Sequence, residues 1–149
     1  MQITKIVSGG QTGVDRAALD AAMKAGIPVG GWCPRGRLAE DGVIDPGYPL
    51  LETPTSDYSA RTELNVRDSD ATLIFYEREI KGGTLLTLRL AEKLGRPVKA
   101  VDLEKKSLRE FPFPGLTGIL NIAGPRESQC PGIYRKVYGL LLRLFSELL

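Results

Sequence analysis

The sequence predicts an α/β protein built on a parallel sheet. Two observations predict it. Apolar runs of strand length alternate with segments of helical periodicity, and two strand–turn–helix passages carry paired glycines, Gly9-Gly10 and Gly82-Gly83. A chain of 149 residues with 42% hydrophobic and 26% charged residues fits one domain, 1–149, around a single core.

The first passage, residues 3–16, runs from an apolar strand through Ser8-Gly9-Gly10-Gln11-Thr12-Gly13 into a helix. Glycine lets a ligand approach the backbone closely, and the helix that follows aims free N–H groups and a positive dipole end at an anion. Thr12 and Asp15 have the spacing of a capping box, which predicts a helix start at Thr12. The pattern matches neither the Walker A loop nor the dinucleotide G-x-G-x-x-G. Val14, Ala17, Ala18, Ala21, Ala22 and Ala25 recur at helical spacing before the Gly26 stop, and residues 27–31 read as a second strand. That strand–helix–strand unit is expected to be parallel and right-handed.

Residues 32–42 show little periodicity and read as a loop at the carboxyl end of the second strand, where open α/β sheets place ligands. Arg35 and Arg37 are candidates for an anionic ligand there, and Glu40 or Asp41 for a polar one. A short element at 50–52 and a helix from about Ser56 to Arg67 follow, with Ala60 and Leu64 facing the core and Arg61 and Asn65 facing a ligand. Residues 71–76 form the clearest buried strand. After it, Lys81-Gly82-Gly83-Thr84 repeats the first turn's logic, with Thr84 as a capping residue and Leu85, Leu88, Ala91 and Leu94 in helical register. Gly95 and Pro97 stop this helix, and 98–102 is the next strand. Residues 103–118 read as a crossing connection and 119–123 as a final strand. Pro131 opens a last helix whose broad apolar arc, including Leu142, Phe145 and Leu149, serves either as core or as a subunit contact.

Composition excludes several function classes. With no histidine, the chain has no Ser-His-Asp or Cys-His nucleophile system and no histidine metal site. Two cysteines, Cys33 and Cys130, cannot build a four-cysteine zinc site and are expected as free thiols. A net charge of +2 with interspersed signs gives no footprint for nucleic acid. No apolar run reaches membrane-spanning length and the first residues lack a signal-peptide layout, so a cytoplasmic protein is expected.

Six blocks in order, covering nearly the whole chain, resemble the molybdenum carrier family. They are Ser8-Gly9-Gly10-Gln11-Thr12-Gly13-Val14-Asp15-Arg16, Gly30-Gly31-Trp32-Cys33-Pro34, residues 35–42, residues 61–70, Gly82-Gly83-Thr84, and Asn121-Ile122-Ala123-Gly124-Pro125-Arg126-Glu127-Ser128. These are small Rossmann-like proteins related to molybdenum cofactor carrier proteins, in a wider group with lysine-decarboxylase-like phosphoribohydrolases and DNA-processing proteins. The resemblance implies a three-layer sandwich, a mostly parallel doubly wound sheet with helices on both faces, and a ligand site where the two glycine turns meet.

The implied ligand is the molybdenum cofactor, a phosphate-bearing pterin whose own dithiolene holds the metal, so no residue here ligates molybdenum. Matching positions are Gly9, Gly10, Gln11, Thr12 and Gly13 in the first turn and Gly82, Gly83 and Thr84 in the second, with Arg126 and Ser128 added. Arg35, Arg37 or Arg126 would neutralise the remaining charge. The phosphoribohydrolases of the wider group carry a glutamate shortly after the second turn, and Lys81–Arg89 has none, which argues against that chemistry. The expected function is therefore a non-catalytic cofactor carrier that forms a homo-oligomer (dimer or tetramer) and delivers to molybdoenzymes. The alternative is a nucleotide or nucleotide-derivative protein, or an enzyme with Glu63, Asp15 or Asp41 as its acid–base group.

Overall fold

In a computed structural model that describes residues 2–148, five parallel strands form the central sheet. They are β1 (Gln2–Val7), β2 (Val29–Gly30), β7 (Ala71–Tyr76), β8 (Val98–Asp102) and β9 (Thr117–Ala123), in the order β2-β1-β9-β7-β8. Ile6 lies opposite Leu120 and Leu73 opposite Ile122, so the central strands present apolar side chains in lateral rows. The remaining strands are outside this sheet: β3 (Trp32–Cys33), β4 (Leu38–Ala39), β5 (Gly42–Val43) and β6 (Leu51–Glu52). β3 pairs with β6 in parallel, and β4 with β5 as a hairpin, so the segment read as a loop carries its own ladders.

Four helices complete the layers: α1 (Val14–Lys24), α2 (Tyr58–Arg67), α3 (Gly82–Lys93) and α4 (Ile133–Ser146). The step from β1 to β2 runs one way across the sheet and the step from β7 to β8 the other. Right-handed crossovers therefore put α1 and α3 on opposite faces, which makes the sheet doubly wound. α1 packs on α4, and α2 on α3. The fold is the Rossmann-like α/β sandwich that the chain's alternation predicts. If β9 and α4 stood at the front of the chain, the strand order would read 3-2-1-4-5, the order of dinucleotide-binding sheets.

The main core lies between the sheet and the α1/α4 layer. Ala17, Ala18, Ala21 and Ala22 are fully buried, and their small side chains let α1 approach both the sheet and α4 closely. From α4 come Ile133, Val137, Leu141, Leu144 and Phe145. Phe145 is completely buried and stacks on Phe111 with ring centroids 5.6 Å apart. The proline-rich segment thus folds over α4: Leu108, Phe111 and Phe113 are core residues. Of the two uses expected for the apolar arc, core or subunit contact, Phe145 takes the first. Leu142 is half-buried against the same core, and Leu149 lies outside the described residues.

The helix starts differ from expectation. α1 begins at Val14, after Gly13 at φ 77°, with no side-chain cap. The Thr12 hydroxyl is drawn instead to the Glu40 carboxylate on the β4–β5 hairpin, a tertiary contact that overrides the local capping box. α3 begins at Gly82 with Lys81 at the cap position and again no side-chain cap, so Thr84 sits inside the first turn. α2 is capped by Asp57, whose side chain accepts the Ser59 N–H at 2.9 Å. Asn65 and Val66 are its buried residues, and Ala60 and Leu64 are half-buried. Cys33 and Cys130 are both free thiols. No helix among the described residues is long and apolar enough to cross a membrane.

Candidate functional site

A cleft of about 320 Å³ opens at the carboxyl ends of β1, β9 and β7, at the point where the winding of the sheet reverses. Open α/β sheets bind ligands at that switch point. Three connections and one helix build its walls. From the first turn come Gly9, Gln11 and Asp15; from the second turn and α3, Gly82, Gly83, Thr84 and Thr87. The loop after β9 contributes Gly124, Arg126 and Gln129, and α2 contributes Tyr58, Arg61 and Asn65.

The two glycine turns are not equivalent. In the first, protein atoms already accept the backbone N–H groups. That of Gly10 reaches the Ser8 hydroxyl at 3.4 Å, that of Gln11 the Asp15 carboxylate at 3.3 Å, that of Thr12 Gln11 Oε1 at 3.1 Å, and that of Val14 the Pro125 carbonyl at 3.2 Å. Gly10 also turns away from the cleft: a Cβ there would meet Leu50 at 2.6 Å and Ile44 at 3.0 Å. In the second turn no side chain caps α3. The N–H groups of Gly82, Gly83 and Thr84 belong to the first helical turn, which has no intrahelical acceptor for them. The Thr87 hydroxyl donates to the Gly83 carbonyl at 2.9 Å. Thr84, 6% exposed and facing the cleft, has a hydroxyl that no hydrogen bond among the described residues engages.

Arg126 stands across from this turn. Its Nε is buried without a hydrogen bond; Glu40 lies 3.4 Å away, close enough for an ion pair but not aligned to accept. Glu40 gathers the Thr12 hydroxyl, the Ser128 hydroxyl and the Ser128 N–H (3.1 Å). Desolvation works against its charge, but these donors and Arg126 outweigh it and hold its carboxyl below the usual glutamate value. Gln11 Oε1 accepts the Glu40 N–H at 2.8 Å, so the β4–β5 hairpin is stitched to both neighbouring loops.

Asp15 forms part of the floor. It is 7% exposed, and Arg61 Nη1 lies 3.7 Å from its carboxylate. Burial pushes its carboxyl up to about 6, against the opposing pull of Arg61, the Gln11 and Gly9 N–H groups and Arg16. Arg61 also donates to the Gly9 carbonyl at 3.0 Å and lies 5.2 Å from the Tyr58 ring centroid. A Cβ at position 9 would sit 2.3 Å from that guanidinium, so a larger residue there would displace Arg61. Asn65 accepts the Trp32 N–H at 2.8 Å and donates to the Trp32 carbonyl at 3.0 Å, fixing the chain after β2.

Of the positions singled out from the sequence, Gly9, Gln11, Gly82, Gly83, Thr84 and Arg126 line the cleft. Thr12 and Ser128 face Glu40 instead, and Gly13 abuts the Pro125 carbonyl. Arg37 is turned into its own loop, donating to the carbonyls of Ile44, Asp45, Tyr48 and Leu50. Arg35 is exposed and is not among the lining residues. Asn121 lines the cleft as well, with its Nδ2 3.3 Å from the Thr72 hydroxyl. Its signal in the sequence is a lone amide inside the apolar run Ile119-Leu120-Asn121-Ile122-Ala123.

Comparisons with known proteins agree with this architecture. The model of the circularly permutated YpsA SLOG family matches residues 6–145. A solved structure from Syntrophus aciditrophicus SB, named putative molybdenum carrier protein, is 46% identical, with a TM-score of 0.86 over 95% of each chain. No functionally curated protein matches the chain. The strand order, which becomes 3-2-1-4-5 when β9 is read first, is what a circular permutation leaves behind. The chain belongs to the circularly permutated YpsA SLOG family.

Proposed function

We propose that the protein is a cytoplasmic, non-catalytic carrier of a small phosphate-bearing ligand, the pterin of the molybdenum cofactor. The observation that carries the reading is the uncapped N-terminus of α3, with the unengaged Thr84 hydroxyl beside it and Arg126 across the cleft. A phosphate there takes three backbone N–H groups and a hydroxyl at the positive end of a helix dipole, with a guanidinium to balance its charge. The Syntrophus protein's name supports the choice of cargo. Metal would travel on the cofactor's own dithiolene.

Delivery to molybdoenzymes and self-assembly into a homo-oligomer belong to the same proposal. The exposed Leu38, Val43 and Leu51 of the β3–β6 region offer a contact surface in place of α4. The test is to purify the protein without oxygen from a host that makes the cofactor, denature it, oxidise the released material, and measure pterin fluorescence and molybdenum. Stoichiometric pterin and metal are expected, reduced in Thr84→Val, which should weaken binding by about 1–3 kcal/mol. Absence of both, with a molybdoenzyme from the same host giving a signal, would reject the carrier reading and turn the search to nucleotides.

A further inference from the structure

The cleft is bipolar. The start of α3 and, across from it, Arg126 offer donors and positive charge; the floor offers the Asp15 carboxylate, 3.7 Å from Arg61, which lines the cleft as well. A ligand that is anionic throughout would meet that carboxylate with like charge. A ligand with a phosphate at one end and N–H donors at the other satisfies both. An ionised carboxylate only accepts hydrogen bonds and has room for about four donors. The Gln11 N–H fills one position at 3.3 Å, and the Gly9 N–H lies near another. Arg61 lies 3.7 Å from the same carboxylate, which keeps acceptor capacity beyond these groups, and Asp15 lines the cleft together with Gln11 and Asn121.

We propose that Asp15 is the specificity-determining residue of this site, selecting ligands that present an adjacent ring N–H and amino group. That is the 2-amino-4-oxopyrimidine edge shared by pterins and guanine. Adenine is rejected because its corresponding edge points a ring-nitrogen lone pair at the carboxylate. The assignment rests on the reading of the cleft as a phosphate site, and it extends that reading from the phosphate to the ring. It also gives a buried carboxylate a use on the floor of a site for an anion.

The test is calorimetric titration at pH 8, where Asp15 is ionised, with neopterin monophosphate, GMP, IMP and AMP, and with inorganic phosphate as competitor. The unaltered protein should bind neopterin monophosphate and GMP about 10- to 100-fold more tightly than AMP. IMP, which keeps the ring N–H but lacks the amino group, should fall between. Asp15→Asn should erase the order of affinities among the four ligands. Equal affinities across the series in the unaltered protein, with phosphate still competing, overturn the assignment, as does an equal loss for all four ligands in Asp15→Asn. If neither the four ligands nor phosphate binds, the phosphate-site reading itself fails. The ligand series on the unaltered protein decides the matter even if the variant folds poorly.

Discussion

A buried carboxylate has two possible uses, as part of the frame or as a contact for a ligand, and Asp15 serves the frame already. It accepts the Gln11 N–H and faces Arg61, yet burial lifts its carboxyl from 3.8 to about 6. The folded chain therefore binds this proton more tightly than the unfolded one. Stability contributed by Asp15 is full at low pH, declines as pH rises from about 4 to about 6, and is absent above, a loss on the order of 3 kcal/mol. Asp15→Asn keeps an acceptor for Gln11 and removes the titration. Denaturant melts should show the variant gaining on the parent protein between about pH 4 and about pH 6, with the gap levelling off above; a constant gap across that range would contradict a raised value. From the sequence alone Asp15 looks like half of a capping box, because its burial depends on α2, far along the chain, bringing Arg61 over Gly9.

At the scale of elements, the β4–β5 hairpin explains most of what was not legible. The buried strand β7 could be read directly, since a continuous apolar run between turn signals leaves little choice. The hairpin has no such run, and its influence is tertiary. Through Glu40 it takes the hydroxyls of Thr12 and Ser128, and through Arg37 it closes on its own carbonyls. Three residues with the right chemistry for an anion site are thereby used by the fold. Glu40→Gln should loosen this latch, and hydrogen exchange in residues 38–43 and 125–128 should quicken. Because the folded Glu40 carboxyl is held below its usual value, the latch is at full strength above the ordinary glutamate value and weakens as pH falls through the folded one. The variant should therefore show little further change on acidification. Unaltered exchange in both segments at neutral pH would count against the latch.

For the whole molecule, the alternation of strands and helices was enough to read the fold class, while the order of strands was not. Nothing local in Ile119–Ala123 says that the last strand enters the centre of the sheet between β1 and β7. That placement, the mark of the permutation, brings Arg126 and Gly124 to the switch point and makes one cleft out of two separate glycine turns. The sequence likewise treats the two turns as equal, whereas the fold fills the first with its own side chains and leaves the second open. The most direct measurement of this account is a crystal structure of the protein with a phosphorylated pterin bound. The phosphate should lie on the N–H groups of Gly82, Gly83 and Thr84, with Arg126 against it and the pterin ring toward Asp15. A phosphate on the first turn, among Gly9 to Gly13, or a ligand outside the cleft, would contradict it.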